Sequence, residues 1–152
     1  MKILNVCKPT SDSCWQPPKN LRGNVTYLTN TGTKYISAVL ANGSSIYYMW
    51  AGIDGTDYQT KHTQLWFDLD GPGRGRNILG SDVFGLIIRF VNSSSGTKGV
   101  YLIGSDLDID EQKNDARDGC SSDVTGSLAG RYCGALIQSN GWKIPKDYPV
   151  KF

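Results

Sequence analysis

Helix formers are scarce in this sequence: a single Glu (Glu111) stands against thirteen Asp, and six Ala against 18 Gly, 14 Ser and 9 Asn. Ala and Glu favour helix, whereas Ser, Asn, Asp and Gly favour turns and caps. A helical bundle is therefore excluded, and short strands joined by polar loops are expected. One histidine, His62, is present, and its KHTQ flanks read as the approach to a strand. No G-x-S-x-G surrounds any serine, so the nucleophile beside a base that covalent catalysis needs is missing. Gly71-Pro-Gly-Arg-Gly-Arg76 is not a phosphate loop, since no G-K-[ST] follows and Pro72 removes an amide donor. No enzyme is expected. Basic runs are also lacking: Lys+Arg 16 against Asp+Glu 14 leaves a net charge of +2, which argues against nucleic acid and against an anionic membrane surface. Apolar runs last only a few residues, far short of a transmembrane helix, and no apolar signal segment with a cleavage site is found.

What remains is enough for one domain, 1–152, because 152 residues of which 39% are hydrophobic can bury a core. The four cysteines fall in two local pairs, Cys7/Cys14 and Cys120/Cys133. Zinc spacing and CxxC are both absent, so two disulfides are the favoured reading and four buried free thiols the alternative. Disulfides would place the protein in an oxidising compartment.

Residues 1–8 carry a brief apolar pattern (Ile3, Leu4, Val6, Cys7) that reads as the end of a longer helix cut short, and 9–24, with three prolines, as an irregular loop. Strands are expected at Val25–Thr29, Tyr35–Ala41, Ser45–Trp50, Gln64–Leu69, Val83–Val91, Gly99–Ile103, Arg131–Gln138 and Trp142–Ile144. Asn42-Gly43 suits a type I′ hairpin turn, and Asn140-Gly141 marks a second turn. The one internal helix expected is Leu107–Arg117. Short connections imply antiparallel pairing, giving a single sheet with one apolar face that something must cover. Most aromatics fall in strands and are assigned to packing. Trp15 and Trp142, beside loops, are the two suited to stacking on a sugar.

The loop between the strongest strands carries Asp68, Asp70, Asn77 and Asp82 around Gly71, Gly73, Gly75 and Gly80. Three carboxylates and an amide in a Gly-rich turn form a candidate Ca²⁺ set. The competing reading has Asp68, Asp70 and Asp82 capping turns and pairing with Arg74 and Arg76. The repulsion that those arginines would exert on a cation favours this second reading. A second acidic stretch, Asp106, Asp108, Asp110, Glu111, Asp115 and Asp118, lacks a glycine framework and reads as a solvated surface.

FDLDGPGRGRNILGSDVFGLIIRF resembles the D-x-N/D-G…N-x-x-G-x-D-x-F block of bacterial type IV pilins and type II secretion pseudopilins. Upstream, Val39-Leu-Ala-Asn42-Gly43-Ser-Ser-Ile46 resembles the family's aLaDGtsi segment, with Asn42 in place of the usual Asp. Arg76 likewise stands where Pro usually precedes the Asn. The C-terminal Cys120…Gly130-Arg-Tyr-Cys133 to Asn140-Gly-Trp-Lys-Ile144 resembles the family's ending, and Cys7…Cys14-Trp15 its opening. The resemblance implies an α+β, pilin-like fold: a truncated N-terminal helix packed on an antiparallel sheet, with long polar loops and two disulfides. It also implies a minor pilin or pseudopilin, with other subunits as partners in a filament. A hydrophobic helix ahead of residue 1 would anchor it in the inner membrane before assembly. The alternative function is a secreted β-rich glycan- or ligand-binding module.

Overall fold

The computed structural model describes residues 2–7, 14–28, 35–49, 62–90 and 97–151. Six strands, β1 (Ile3–Cys7), β2 (Tyr35–Leu40), β3 (Ser45–Met49), β4 (His62–Asp68), β5 (Val83–Arg89) and β6 (Gly99–Leu102), lie in sequence order in one sheet. Every neighbouring pair is antiparallel. The helices are short, α1 (Ile109–Asn114) and α2 (Cys133–Ser139). The fold is thus mostly β, which corrects the α+β expectation.

The N-terminal helix is the main error: residues 3–7 form the edge strand, with Val6 opposite Ala38 and Cys7 opposite Ser37. A register shift between Ile3 and Asn5 puts Ile3 opposite Leu40. A bulge of this kind adds one residue to one strand. The three-residue spacing of Ile3 and Val6, which imitates a helix, therefore brings both onto one sheet face. Of the strand expected at Val25–Thr29, residues 25–28 form no strand and contribute an isolated bridge from Val25 to Lys19, and Thr29 lies outside the described residues. Of the expected 9–24 loop, residues 14–24 are irregular, and 9–13 lie outside the described residues.

Pairing fixes the two faces of the sheet. Ser37, Tyr47, Trp66 and Gly85 stand in line on the first, and Ala38, Ile46, Phe67 and Phe84 on the second. The first face holds the core, where Tyr47, Trp66 and Val83 pack with Trp15, Leu28, Leu79, Ile103 and Leu128 from the loops. Trp15 is fully buried. Its ring stacks on Tyr47 with centroids 4.9 Å apart, and its Nε1 donates to Leu28 O at 2.9 Å. A second cluster, Cys120, Cys133, Leu136, Tyr148 and Val150, holds the C-terminal region together.

The expected β2–β3 hairpin forms, but its turn is different. Gly43 N–H donates to Leu40 O at 2.9 Å, and Gly43 alone adopts positive φ (91°), whereas type I′ needs both central residues there. Arg131–Gln138 and Trp142–Ile144, expected as strands, are instead α2 and the irregular segment after it. Asn140-Gly141 ends the helix. Gly141 N–H donates to Gln138 O at 3.0 Å and Trp142 N–H to Ile137 O at 2.9 Å, with Gly141 at φ 68°. This is the paired 5→2 and 6→1 pattern that closes a helix on a left-handed residue.

Candidate functional site

Three features could carry function, and each grows from the sheet. The first is the β4–β5 loop. Leu69 N–H to Asp82 O (2.9 Å) closes its base, and its far side is held by Lys19 N–H to Asn77 O (2.7 Å) and Asn77 Nδ2 to Pro17 O (3.2 Å). Asp82 organises one half: its Oδ2 accepts from Arg76 N (2.8 Å) and Asn77 N (2.7 Å), its Oδ1 from Ile78 N (2.7 Å). Asp68 Oδ1 organises the other, accepting from Asp70 N at 3.3 Å and Gly71 N at 3.1 Å. Asp68 is fully buried. Burial first, and the adjacent Asp70 carboxyl second, push its pKa up to about 7.

The capping half of the competing reading therefore holds for Asp68 and Asp82, while no turn amide reaches Asp70 Oδ1. The ion-pairing half does not hold, because no salt bridge joins these acids to Arg74 or Arg76 among the described residues. Arg76 Nη1 donates to Lys151 O instead, and the Arg74 guanidinium lies beside Gly43. Asp68, Asp70, Asn77 and Asp82 do come together in one loop. However, no three His, Cys, Asp or Glu side chains meet at a common metal position among the described residues.

The second acidic stretch is only partly solvated. Asp106 pairs with Arg89 at 3.1 Å, and Asp108 with Glu111 forms the capping box of α1. Asp118 is fully buried. It takes Arg117 Nε and Nη2 at 2.9 Å each and Arg131 Nη1 at 3.0 Å, and the Arg131 guanidinium lies 5.9 Å from the Trp66 ring centroid. Sequence alone could not foresee this cluster. Asp118 and Arg131 are thirteen residues apart, and only the fold brings them together.

The other two features are surfaces. Trp142 is 70% exposed at φ 62°. It borders a groove of about 500 Å³ together with Leu86, Leu102, Ser105, Gln138 and Ser139. Trp15 is unavailable for stacking on a sugar, since it is buried in the core. The second sheet face is largely apolar and unevenly covered, with Ala38 and Thr63 buried on it. α2 approaches it at one end, where a Cβ on Gly134 would sit 3.1 Å from Leu102 Cδ2 and 3.3 Å from Phe84 Cδ1. Elsewhere Val6 (60%), Ile36 (54%) and Val100 (61%) are exposed, while Ile46, Tyr48, Leu65, Phe67, Leu86 and Ile88 are half-buried.

Two disulfides, Cys7–Cys14 and Cys120–Cys133, are formed and no free cysteine remains. Such bonds are consistent with an extracellular or secreted protein. No helix among the described residues is long and apolar enough to cross a membrane.

The model of a family of unknown function, DUF6613, matches residues 19–152. The chain belongs to this family. No curated protein and no solved structure matches it. The DUF6613 match takes in the β4–β5 loop, the Asp118 cluster and the Trp142 groove. β1, the Cys7–Cys14 bridge and Trp15 lie ahead of it.

Proposed function

We propose that this chain is the globular head of a filament subunit, a minor pilin or pseudopilin of a type IV pilus or type II secretion-like assembly. It acts by assembly and surface presentation, and no catalysis is assigned to it. The observation that carries the reading is the second sheet face. It leaves Val6, Ile36 and Val100 exposed, with Ile46, Tyr48, Leu65, Leu86 and Ile88 half-buried on the same face, and exposed apolar patches mark interaction sites. The occupant we assign to it is an apolar helix of the filament, because the chain resembles pilins in four motifs in the family's order. Two disulfides agree with an extracytoplasmic location.

The test has a genetic and a biochemical arm. The DNA ahead of codon 1 should encode a short basic leader and a hydrophobic helix, and the protein should be recovered in sheared filaments. Ile36→Lys and Val100→Lys, both on exposed positions, should leave the melting temperature within about 2 °C and remove the protein from that fraction. An ordinary cleaved signal peptide, with a freely secreted monomer, would overturn the proposal. Trp142 beside its groove favours one second reading, a glycan-binding module. Glycan-array binding abolished by Trp142→Ala would select it.

A further inference from the structure

We propose that the β4–β5 loop holds a Ca²⁺ ion on the Asp68 and Asp70 carboxylates, with Ser45 Oγ and Asn77 Oδ1 as neutral oxygens beside them. Among the described residues six buried side-chain nitrogen or oxygen atoms have no hydrogen-bond partner, and four of them are Ser45 Oγ, Asp68 Oδ2, Asp70 Oδ1 and Asn77 Oδ1. Two belong to fully buried side chains, Ser45 and Asp68. These two residues sit directly opposite each other across the β3–β4 pair, so their side chains share one face.

A buried polar group without a partner is destabilising, and three of these groups lie together: Ser45 stands opposite Asp68, and the Asp70 carboxyl meets that of Asp68. A proton shared between the Asp68 and Asp70 carboxyls satisfies that pair only while Asp68 is protonated, and the backbone donors of the loop are committed elsewhere. The amides of residues 70 and 71 go to Asp68 Oδ1, those of 76–78 go to Asp82, and Asn77 Nδ2 goes to Pro17 O. Neither arginine of the loop forms a salt bridge with these carboxylates: Arg76 reaches Lys151 O, and Arg74 lies beside Gly43. What is left is an all-oxygen set carrying two carboxylates, the donor chemistry of a hard divalent cation. Asp82 is a framing residue and not a ligand here, since three backbone amides occupy both its oxygens. Gly75 permits the arrangement. A Cβ there would overlap Asp70 Oδ2 and fall 2.8 Å from Asp82 Oδ2. The ion would tie the sheet to the segments that the loop already touches at Pro17, Lys19 and Lys151.

The experiment uses the full oxidised chain, treated with EDTA and desalted, then titrated calorimetrically with CaCl₂ and separately with MgCl₂. One Ca²⁺ per chain is expected, at a dissociation constant of about 10⁻³ M or tighter, the range of extracellular modules, with a rise in melting temperature. Asp70→Asn, at a half-buried position that should fold, is expected to weaken binding at least about tenfold at an unchanged circular dichroism spectrum. Asp110→Asn, in the exposed α1 stretch, should bind as the parent does. No heat and no thermal shift in ~10 mM CaCl₂, well above that range, would overturn the proposal. Binding that survives Asp70→Asn, or that is seen with Mg²⁺ alone, would overturn it equally.

Discussion

Replacing Trp15 by Ala tests where the core of this protein sits. The side chain is fully buried, stacks on Tyr47 and donates its indole N–H to Leu28 O. Truncating a buried Trp typically costs about 3–5 kcal/mol, through lost transfer energy and the cavity left behind. The stranded Leu28 carbonyl pushes the expectation to the upper half of that range. At roughly 2–4 °C per kcal/mol for a chain of this size, the melting temperature should fall by about 8–20 °C. Trp15→Phe preserves a stacked ring but deletes the donor, and should cost about 1–3 kcal/mol. Trp142→Ala provides the contrast: at 70% exposure it should change stability by no more than about 0.5 kcal/mol. Thermal unfolding followed by circular dichroism at fixed redox state measures all three. Equal effects of Trp15→Ala and Trp142→Ala would refute the assignment of Trp15 to the core and of Trp142 to the surface.

Asp118→Asn should destabilise by about 3–5 kcal/mol, because it leaves Arg131, itself mostly buried, facing an amide in place of its counter-charge; urea unfolding reads this directly, and a loss below about 1 kcal/mol would show the cluster to be ornamental. Reducing Cys120–Cys133, which spans 13 residues in sequence, should remove about 3 kcal/mol on a chain-entropy basis, visible as a lower melting temperature in dithiothreitol. Both cysteines are buried, so that reduction should be slow below the unfolding transition and fast within it. Immediate reduction of the native protein would show that the C-terminal region opens locally.

Alternation made much of the sheet legible. From Gln64 to Asp68 buried and half-buried positions alternate, the period-two signal of a strand, whereas Val83 to Arg89 was legible through its β-branched and aromatic residues. Where the reading failed, one local pattern served two structures. Ile3 and Val6 fit a helix by spacing, and a bulged strand satisfies the same spacing. Cys133, Leu136 and Ile137 lie at i, i+3 and i+4, a helical stripe packed in the C-terminal cluster. Asn140-Gly141 looked like a hairpin turn because a left-handed glycine serves a turn and a helix end alike. Only the tertiary partners decide between them.

The β4–β5 loop was legible by residue type and opaque by direction. Arg74 and Arg76 stand within eight positions of every carboxylate in the loop, and that nearness in sequence argued for ion pairs that would repel a cation. Left-handed glycines on either side, Gly73 at φ 73° and Gly75 at φ 60°, are backbone states that ordinary residues avoid. They set the path of the chain around Arg74, whose guanidinium ends beside Gly43, while Arg76 reaches Lys151. Asp68 is meanwhile fixed by its place at the end of β4, where strand pairing holds it opposite Ser45 on the core side. The arginines leave and the acids stay, so positive charge close in sequence gives no neutralisation where the carboxylates are buried. That separation is set by backbone conformation, and it is why the loop lacks an internal counter-charge for Asp68 and Asp70.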